Sequence, residues 1–354
     1  MSHQEKAPLS VTPGAIRFNT DSMKLEYYRG GPVGFGTTTT TGEWVNLTTD
    51  TPDIQTGGTR GVFGGGYGNS PAANSNTIDY VTISTTGNAL DFGDLYSTGY
   101  TSNCCSSSTR GIIGGGFPAN NVIQYITVSS TGNSQDFGDL TQARLYLNSC
   151  SSSTRGIFAG GAATPTPGGF VFNIIDYITI SATGNAVDFG DSTVVRNNGT
   201  ACASSTRGLM FGGSTATSPA VRQNVIDFIA ISTLGNAADF GDLTSARDAI
   251  GACSNSIRGL VAGGGNPITN VIEYITISTL GNAQDFGDLT NVRANMQGCA
   301  SSTRGVWGGG YSPGFQNVID YVSIMSIGNA IDFGDLTFRR DGIGALSNGH
   351  GGLG

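Results

Sequence analysis

Residues 258–293 read RGLVAGGGNPITNVIEYITISTLGNAQDFGDLTNVR, and the same phrase recurs along the chain. Its leading arginine returns as Arg60, Arg110, Arg155, Arg207, Arg258 and Arg304, at intervals of 45 to 52 residues. The DFGD block returns at Asp91, Asp136, Asp188, Asp239, Asp285 and Asp332. A fixed period of this length marks a unit that buries its apolar face only by stacking on copies of itself. Within the unit, RGLVAGG is an apolar run ending in glycines. Residues 270–278 then alternate apolar and polar side chains with the period of two of a half-buried strand. Gly281-Asn282 supplies a positive-φ turn, and residues 285–289 form the strand after it. The segment 248–253, which ends at a cysteine, completes four strands, here called a to d in chain order.

Four antiparallel strands per unit predict an all-β chain folded as a six-bladed β-propeller. Composition agrees: of 354 residues 56 are glycine, only 12 % are charged, and 38 % are hydrophobic, enough for an ordered core. The six b–c–d sets begin near Thr59, with no good strand a ahead of the first. The tail FRRDGIGALSNG (338–349) aligns with SARDAIGACSNS (245–256), a strand a with no unit after it. The expectation is a ring closed by this C-terminal strand; seven blades, one built from the first 50 residues, is the alternative. The domains expected are an N-terminal arm, 1–50, and a propeller, 51–354.

The unit resembles a kelch-type repeat: an apolar strand ending in a glycine doublet, a variable loop, then a strand carrying a tyrosine, as in Ile272-Glu273-Tyr274. Where kelch blades usually carry a tryptophan in strand d, this chain has Phe92, Phe137, Phe189, Phe240, Phe286 and Phe333. A second resemblance lies outside the repeat. Residues 13–47, PGAIRFNTDSMKLEYYRGGPVGFGTTTTTGEWVNL, resemble a motif of bacteriophage virion appendages such as tail-fibre and neck proteins, through Gly14, Ile16, Arg17, Phe18, Asn19, Thr20, Asp21, Leu25, Glu26, Tyr27 and Trp44. The segment reads as a two-stranded hairpin, 15–19 and 24–28, with a turn at 19–22, a flexible Gly/Thr-rich tip and Trp44 anchoring the return. The resemblance implies virion attachment through Arg17, Phe18, Tyr27, Tyr28 and Trp44.

Several chemistries fit poorly. The formal net charge is −8, lysine occurs only as Lys6 and Lys24, and the arginines are spread at repeat spacing. Nucleic-acid binding needs clustered positive charge instead. No stretch approaches the ~20 apolar residues of a membrane helix, and the N-terminus lacks the apolar core of a secretory signal. Six copies of DFG without a phosphate loop do not make a kinase, and DFGD lacks calcium-loop spacing. Cys105, Cys150, Cys202, Cys253 and Cys299 are repeat-equivalent, with Cys104 extra; neighbouring sheets stand too far apart for a disulfide framework, and the zinc spacing is missing. They read as small core side chains. With His3 and His350 as the only histidines and no asymmetric carboxylate pair, no catalytic residues, metal or cofactor are expected. Charges recurring once per unit read as structural braces, able to form Arg–carboxylate pairs where sheets meet: the STRG arginines, a second set at Arg144, Arg196, Arg247, Arg293 and Arg340, the DFGD aspartates, and the acids Asp79, Asp176, Asp227, Glu273 and Asp320.

The a–b and c–d turns are nearly identical in every unit, whereas the b–c loops (67–76, 117–120, 162–172, 214–223, 266–269 and 311–316) differ in length and carry prolines and aromatics. Variation confined to one rim of a scaffold points to binding. The candidate contact residues are Tyr67, Phe117, Phe170, Phe172, Arg222, Asn266, Tyr311 and Phe315. The expectation is a phage structural protein, made in the host cytoplasm and present in multiple copies on the virion. Its arm would contact other virion proteins and its rim a host glycan or protein. A cellular kelch-like interaction scaffold and a carbohydrate-active enzyme are the rival readings.

Overall fold

In the computed structural model, residues 15–19, 24–29, 43–46, 59–69, 72–100, 103–164, 169–216, 219–265 and 267–353 are described. They are all-β: no α-helix occurs among them, and Gly351–Leu353 is a single 3-10 turn. The chain divides into two compact units, Met1–Gly57 and Gly58–Gly354. In the first, Ile16–Asn19 pairs antiparallel with Lys24–Arg29, Ile16 opposite Tyr27 and Phe18 opposite Leu25. The expected two-stranded hairpin is in fact a three-stranded sheet, because Glu43–Asn46 adds along the other side of Lys24–Arg29 and sets Trp44 opposite Tyr28. A third strand satisfies backbone groups that a lone hairpin leaves open. Arg17 and Tyr28 are half-buried; Phe18, Tyr27 and Trp44 occupy strand positions. The turn residues 20–22 and the Gly/Thr-rich tip lie outside the described residues.

The second unit holds six four-stranded antiparallel sheets, each hydrogen-bonded in the order a-b-c-d. Sheet two comprises Asn103–Ser106, Arg110–Gly114, Asn120–Thr127 and Gln135–Arg144; sheet three Asn148–Ser151, Arg155–Ala159, Ile174–Thr179 and Val187–Asp191. Sheet four comprises Thr200–Ala203, Arg207–Phe211, Val225–Ala230 and Ala238–Asp242; sheet five Gly251–Ser254, Arg258–Ala262, Val271–Thr276 and Gln284–Asp288. Sheet six runs through Gln297–Ala300, Arg304–Gly308, Val318–Ser323 and Ile331–Asp335. Sheet one draws on both ends of the unit: Arg60–Gly64, Thr77–Thr82 and Leu90–Asp94 receive Gly344–Ser347 as strand a, with Ala345 opposite Phe63 and Leu346 opposite Val62. No single sheet closes on itself. The a strands touch in succession from sheet one to sheet six, and Gln297–Ala300 of sheet six touches Gly344–Ser347 of sheet one.

Each junction between neighbouring sheets holds one apolar cluster. Between sheets four and five, Leu209, Phe211, Ile226 and Phe240 meet Ile250, Val261, Ile275 and Ile277. The DFGD phenylalanines sit in these clusters, Phe286 fully buried and edge-on to Tyr274 at 6.2 Å. They fill the gap expected of them. The described cysteines are all free and buried. Apart from Cys104, their sulfurs face the glycine after the STRG arginine of the next sheet, the Cys202 Sγ 2.9 Å from where a Cβ on Gly259 would stand. Burial pushes these thiols up, to about 12 for Cys202 and Cys299.

The Gly-Asn-Ala segment does more than turn the chain. Its residues hydrogen-bond to strand d of the preceding sheet: Gly281 N–H to the Phe240 carbonyl (2.9 Å), Ala283 N–H to the Asp242 carbonyl (2.8 Å), and Asp242 N–H to Asn282 Oδ1 (3.0 Å). The same clasp ties Gly87, Asn88 and Ala89 of sheet one to Phe333 and Asp335 of sheet six. A β-bulge between strands c and d, where Ile272 faces Gly287 and Glu273 faces Asp285, swings Phe286 inward.

Candidate functional site

At the ends of the strands where the b–c loops emerge, five buried ion pairs join sheet to sheet. Arg144 meets Asp176, Arg196 meets Asp227 (2.6 Å), Arg247 meets Glu273 (3.1 Å), Arg293 meets Asp320 (2.6 Å) and Arg340 meets Asp79 (3.0 Å). Each arginine follows strand d or, at Arg144, ends it, and each acid lies on strand c of the following sheet. The Arg293 Nη1 also donates to the Gly309 and Val318 carbonyls, while Thr290 Oγ1 donates to Asp320 at 2.6 Å. Burial lowers the pKa of these guanidiniums, and the facing acid opposes the shift. The junction between sheets one and two breaks the rule. Gly99 stands at the arginine position, Gln124 at the acid position, Tyr96 at the threonine position and Ser134 where the other sheets have alanine. A neutral network replaces the ions: Gln124 Oε1 accepts from Ser134 Oγ (2.8 Å) and from Ser97 N–H (3.2 Å).

Of the charges read as braces from sequence, the second arginine set and the strand-c acids make these pairs, and the STRG arginines and DFGD aspartates do not. The STRG arginines lie at the opposite end of the strands, over an aromatic ring of strand c, and reach a carbonyl of the next sheet. Arg258 stands 4.4 Å from the Tyr274 ring centre and donates to Ile324 O (3.1 Å). Arg60, Arg110, Arg155, Arg207 and Arg304 repeat this arrangement. Asp91, Asp136, Asp188, Asp239, Asp285 and Asp332 are exposed, and none joins an ion pair among the described residues. The bulge that turns the phenylalanine inward leaves the preceding aspartate facing solvent.

The d–a turns form an inner rim on the b–c side. Tyr146, Asn198, Ala249, Asn295 and Gly342 all adopt φ between 56° and 59°. The last four donate their N–H to the carbonyl of their predecessor, from Asn198 to Tyr146 through to Gly342 to Asn295, at 2.7–3.0 Å. Just outside this rim, the residue after each anchor position pairs with the residue that follows the glycine doublet of strand b. At three successive junctions these pairs are small, aliphatic or polar: Leu145 with Ala162, Asn197 with Ser214, and Asp248 with Gly265. At the other three they are Ala294 with Tyr311, Asp341 with Tyr67, and Tyr100 with Phe117. The aromatic members of these pairs are thus gathered in one half of the rim; Phe170 and Phe172 stand apart from them, in the loop of sheet three.

There they make a continuous arc. Ring centres are 5.7 Å apart for Tyr311 and Phe315, 5.7 Å for Phe315 and Tyr67, 5.8 Å for Tyr67 and Tyr100, and 4.9 Å for Tyr100 and Phe117. Tyr311 is 40 % exposed, the others half-buried. The polar groups beside the arc are Asp341, which accepts from Asn295 Nδ2 at 3.3 Å, and the Tyr146 hydroxyl, which neighbours that of Tyr100. Burial raises the Asp341 carboxyl to about 6, with the Asn295 amide opposing. Burial likewise takes Tyr146 to about 12.

Of the rim residues expected from sequence, Tyr67, Phe117, Tyr311 and Phe315 come together in this arc. Phe170 is exposed and Phe172 half-buried, both in the loop of sheet three. Arg222 is held by Asp248 at 2.8 Å, and Asn266 lies outside the described residues. Tyr100, Tyr146, Asn295 and Asp341 were missed, because they belong to the d–a turns. Their signal was available in the alignment of the tail and turns, where Tyr100 and Asp341 occupy one repeat position. The chain matches no family model and no curated protein sequence.

Proposed function

We propose that the repeats form a closed six-bladed kelch-like propeller that acts as a non-enzymatic binding module of a bacteriophage virion, with the N-terminal arm as its attachment. Closure is supported by the seating of Gly344–Ser347 beside Arg60–Gly64 and by the contact of its strand with those of sheets two and six. The observation that carries the binding reading is the contrast between the two ends of the strands. One end repeats the same arginine–ring stack and the same Gly-Asn clasp six times, as a scaffold does. The other concentrates Tyr311, Phe315, Tyr67, Tyr100 and Phe117 in one half of its rim. Among the described residues no group of three or more His, Cys, Asp or Glu side chains is placed to hold a metal. The virion assignment rests on the resemblance of residues 13–47, whose described strands Ile16–Asn19, Lys24–Arg29 and Glu43–Asn46 form a small sheet. Deleting residues 1–47 tests it: particles assembled with the truncated chain should lack the protein while the purified truncated chain melts as before. Normal incorporation would count against the arm.

A further inference from the structure

We propose that the aromatic arc over sheets six, one and two is the carbohydrate site of the rim, built for an uncharged oligosaccharide; this rests on the binding-module reading above. Two independent breaks in the repeat fall in the same sector. One is the replacement of small residues by rings at consecutive equivalent positions, Tyr311, Tyr67 and Phe117, with Tyr100 opposite the last. The other is the loss of the buried Arg–acid anchor directly beneath, at Gly99 and Gln124. In a repeat, departures from the common pattern that cost a packing device are expected where function demands them. The site's chemistry favours a sugar. Successive rings are inclined by 48–80°, so their faces splay rather than seal into one flat apolar wall. A ring face carries negative quadrupole charge and attracts the polarised C–H groups of a pyranose. Ligand sites of this kind combine aromatic walls with a few placed polar groups, here the Asp341 carboxyl, the Asn295 amide and the Tyr146 hydroxyl, which suit sugar hydroxyls as partners. A carboxyl at the arc and a net charge of −8 disfavour a polyanionic chain.

The test uses the full chain and neutral hexasaccharides of glucose, N-acetylglucosamine and galactose, titrated by calorimetry. Saturable binding of at least one, weakened about tenfold by Tyr311→Ala and by Tyr100→Ala and unchanged by Leu280→Ala on the opposite turns, supports the site. Tyr311→Ala changes a ring that is already partly in solvent, so its fold is checked by melting before titration. No binding to any of the three sugars, or equal binding by all variants, overturns it. Binding to intact host cells after periodate or protease treatment separates the two levels. Loss on periodate agrees with the site. Loss on protease alone overturns the sugar assignment but leaves the binding module standing, whereas no binding to untreated cells counts against the module itself.

Discussion

Arg293 and Arg258 are both repeated once per sheet, yet their surroundings make them unequal. Arg293 is fully buried, its partner Asp320 equally so, and its Nε–H has no hydrogen-bond partner. Such a pair is expected to fix how sheets meet more than to add net stability. Arg293→Met should therefore cost about 3–5 kcal/mol, because Asp320 is left as an uncompensated buried charge, while Arg293→Met with Asp320→Leu should recover most of it. Urea melts of the two single variants and the double would read this coupling, and additive losses would refute it. Arg258→Ala should cost less, about 1–2 kcal/mol, since it loses one ring contact and one hydrogen bond at a half-buried position. Asp341 makes a prediction in pH. Its folded-state pKa lies above the ordinary 3.8, at about 6, so the folded chain holds the proton more tightly than the unfolded one. Its contribution to stability is greatest below pH ~4 and is lost as pH rises through ~6. Asp341→Asn should flatten that fall, by about 2 kcal/mol across the window, in melts between pH 4 and 7. An unchanged slope would mean that the carboxyl is more solvated than its neighbours indicate.

The elements of this chain are short, and a backbone device joins neighbouring sheets alongside their apolar clusters. Gly287 shows it. Its φ is +145°, and a Cβ there would stand 2.5 Å from the Gly328 carbonyl oxygen, which belongs to the clasp of the next sheet. Gly287→Ala thus meets both a disfavoured backbone conformation and an immovable contact, and should cost at least about 2 kcal/mol. Gly281→Ala, with φ +152° but nothing within 4 Å, should cost less. Comparing their melting midpoints isolates the contact from the conformation, and equal losses would dismiss the clasp. Strand content was legible because the signals are local: RGLVAGG and NVIEYITIS carry their period in six residues. The clasp was not, since Gly281-Asn282 reads as an ordinary turn until the preceding sheet is placed against it. The ion pairs were legible as residue types but not as partners. The sequence offers two arginine positions and three acidic ones, and only the bulge at Phe286 decides which acid turns inward. The arc was half legible for a similar reason: its loop residues announce themselves by variation, its turn residues only by register.

At the scale of the whole repeat unit, both termini meet in sheet one, whose strand a comes from residues 344–347 and whose other strands begin at Arg60. The tail continues past that strand. His350 Nε2 lies 2.9 Å from the Ser106 carbonyl and 3.3 Å from Ser151 Oγ, while its Nδ1 accepts from Gly352 N–H at 3.1 Å. This geometry is that of a neutral ring with its proton on Nε2. Burial lowers the His350 pKa below 6.5, so the stability it contributes is present above pH ~6.5 and is lost as pH falls below it, opposite in sign to Asp341. Two truncations separate strand from plug. A chain ending at residue 347 keeps the a strand and should still melt in one transition, with its acid sensitivity below pH 6.5 reduced. A chain ending at residue 337 loses that strand together with the Arg340 anchor, baring the edge of Arg60–Gly64 and the side chain of Phe63, which is fully buried in the intact protein. An exposed apolar edge pairs readily with another chain, so the shorter protein should aggregate and lose its single sharp transition. Sedimentation and calorimetry on both would decide the matter. If the chain ending at 337 stayed monomeric and melted like the full protein, closure by the tail would not be what holds these sheets together, and the rim would need no ring to support it.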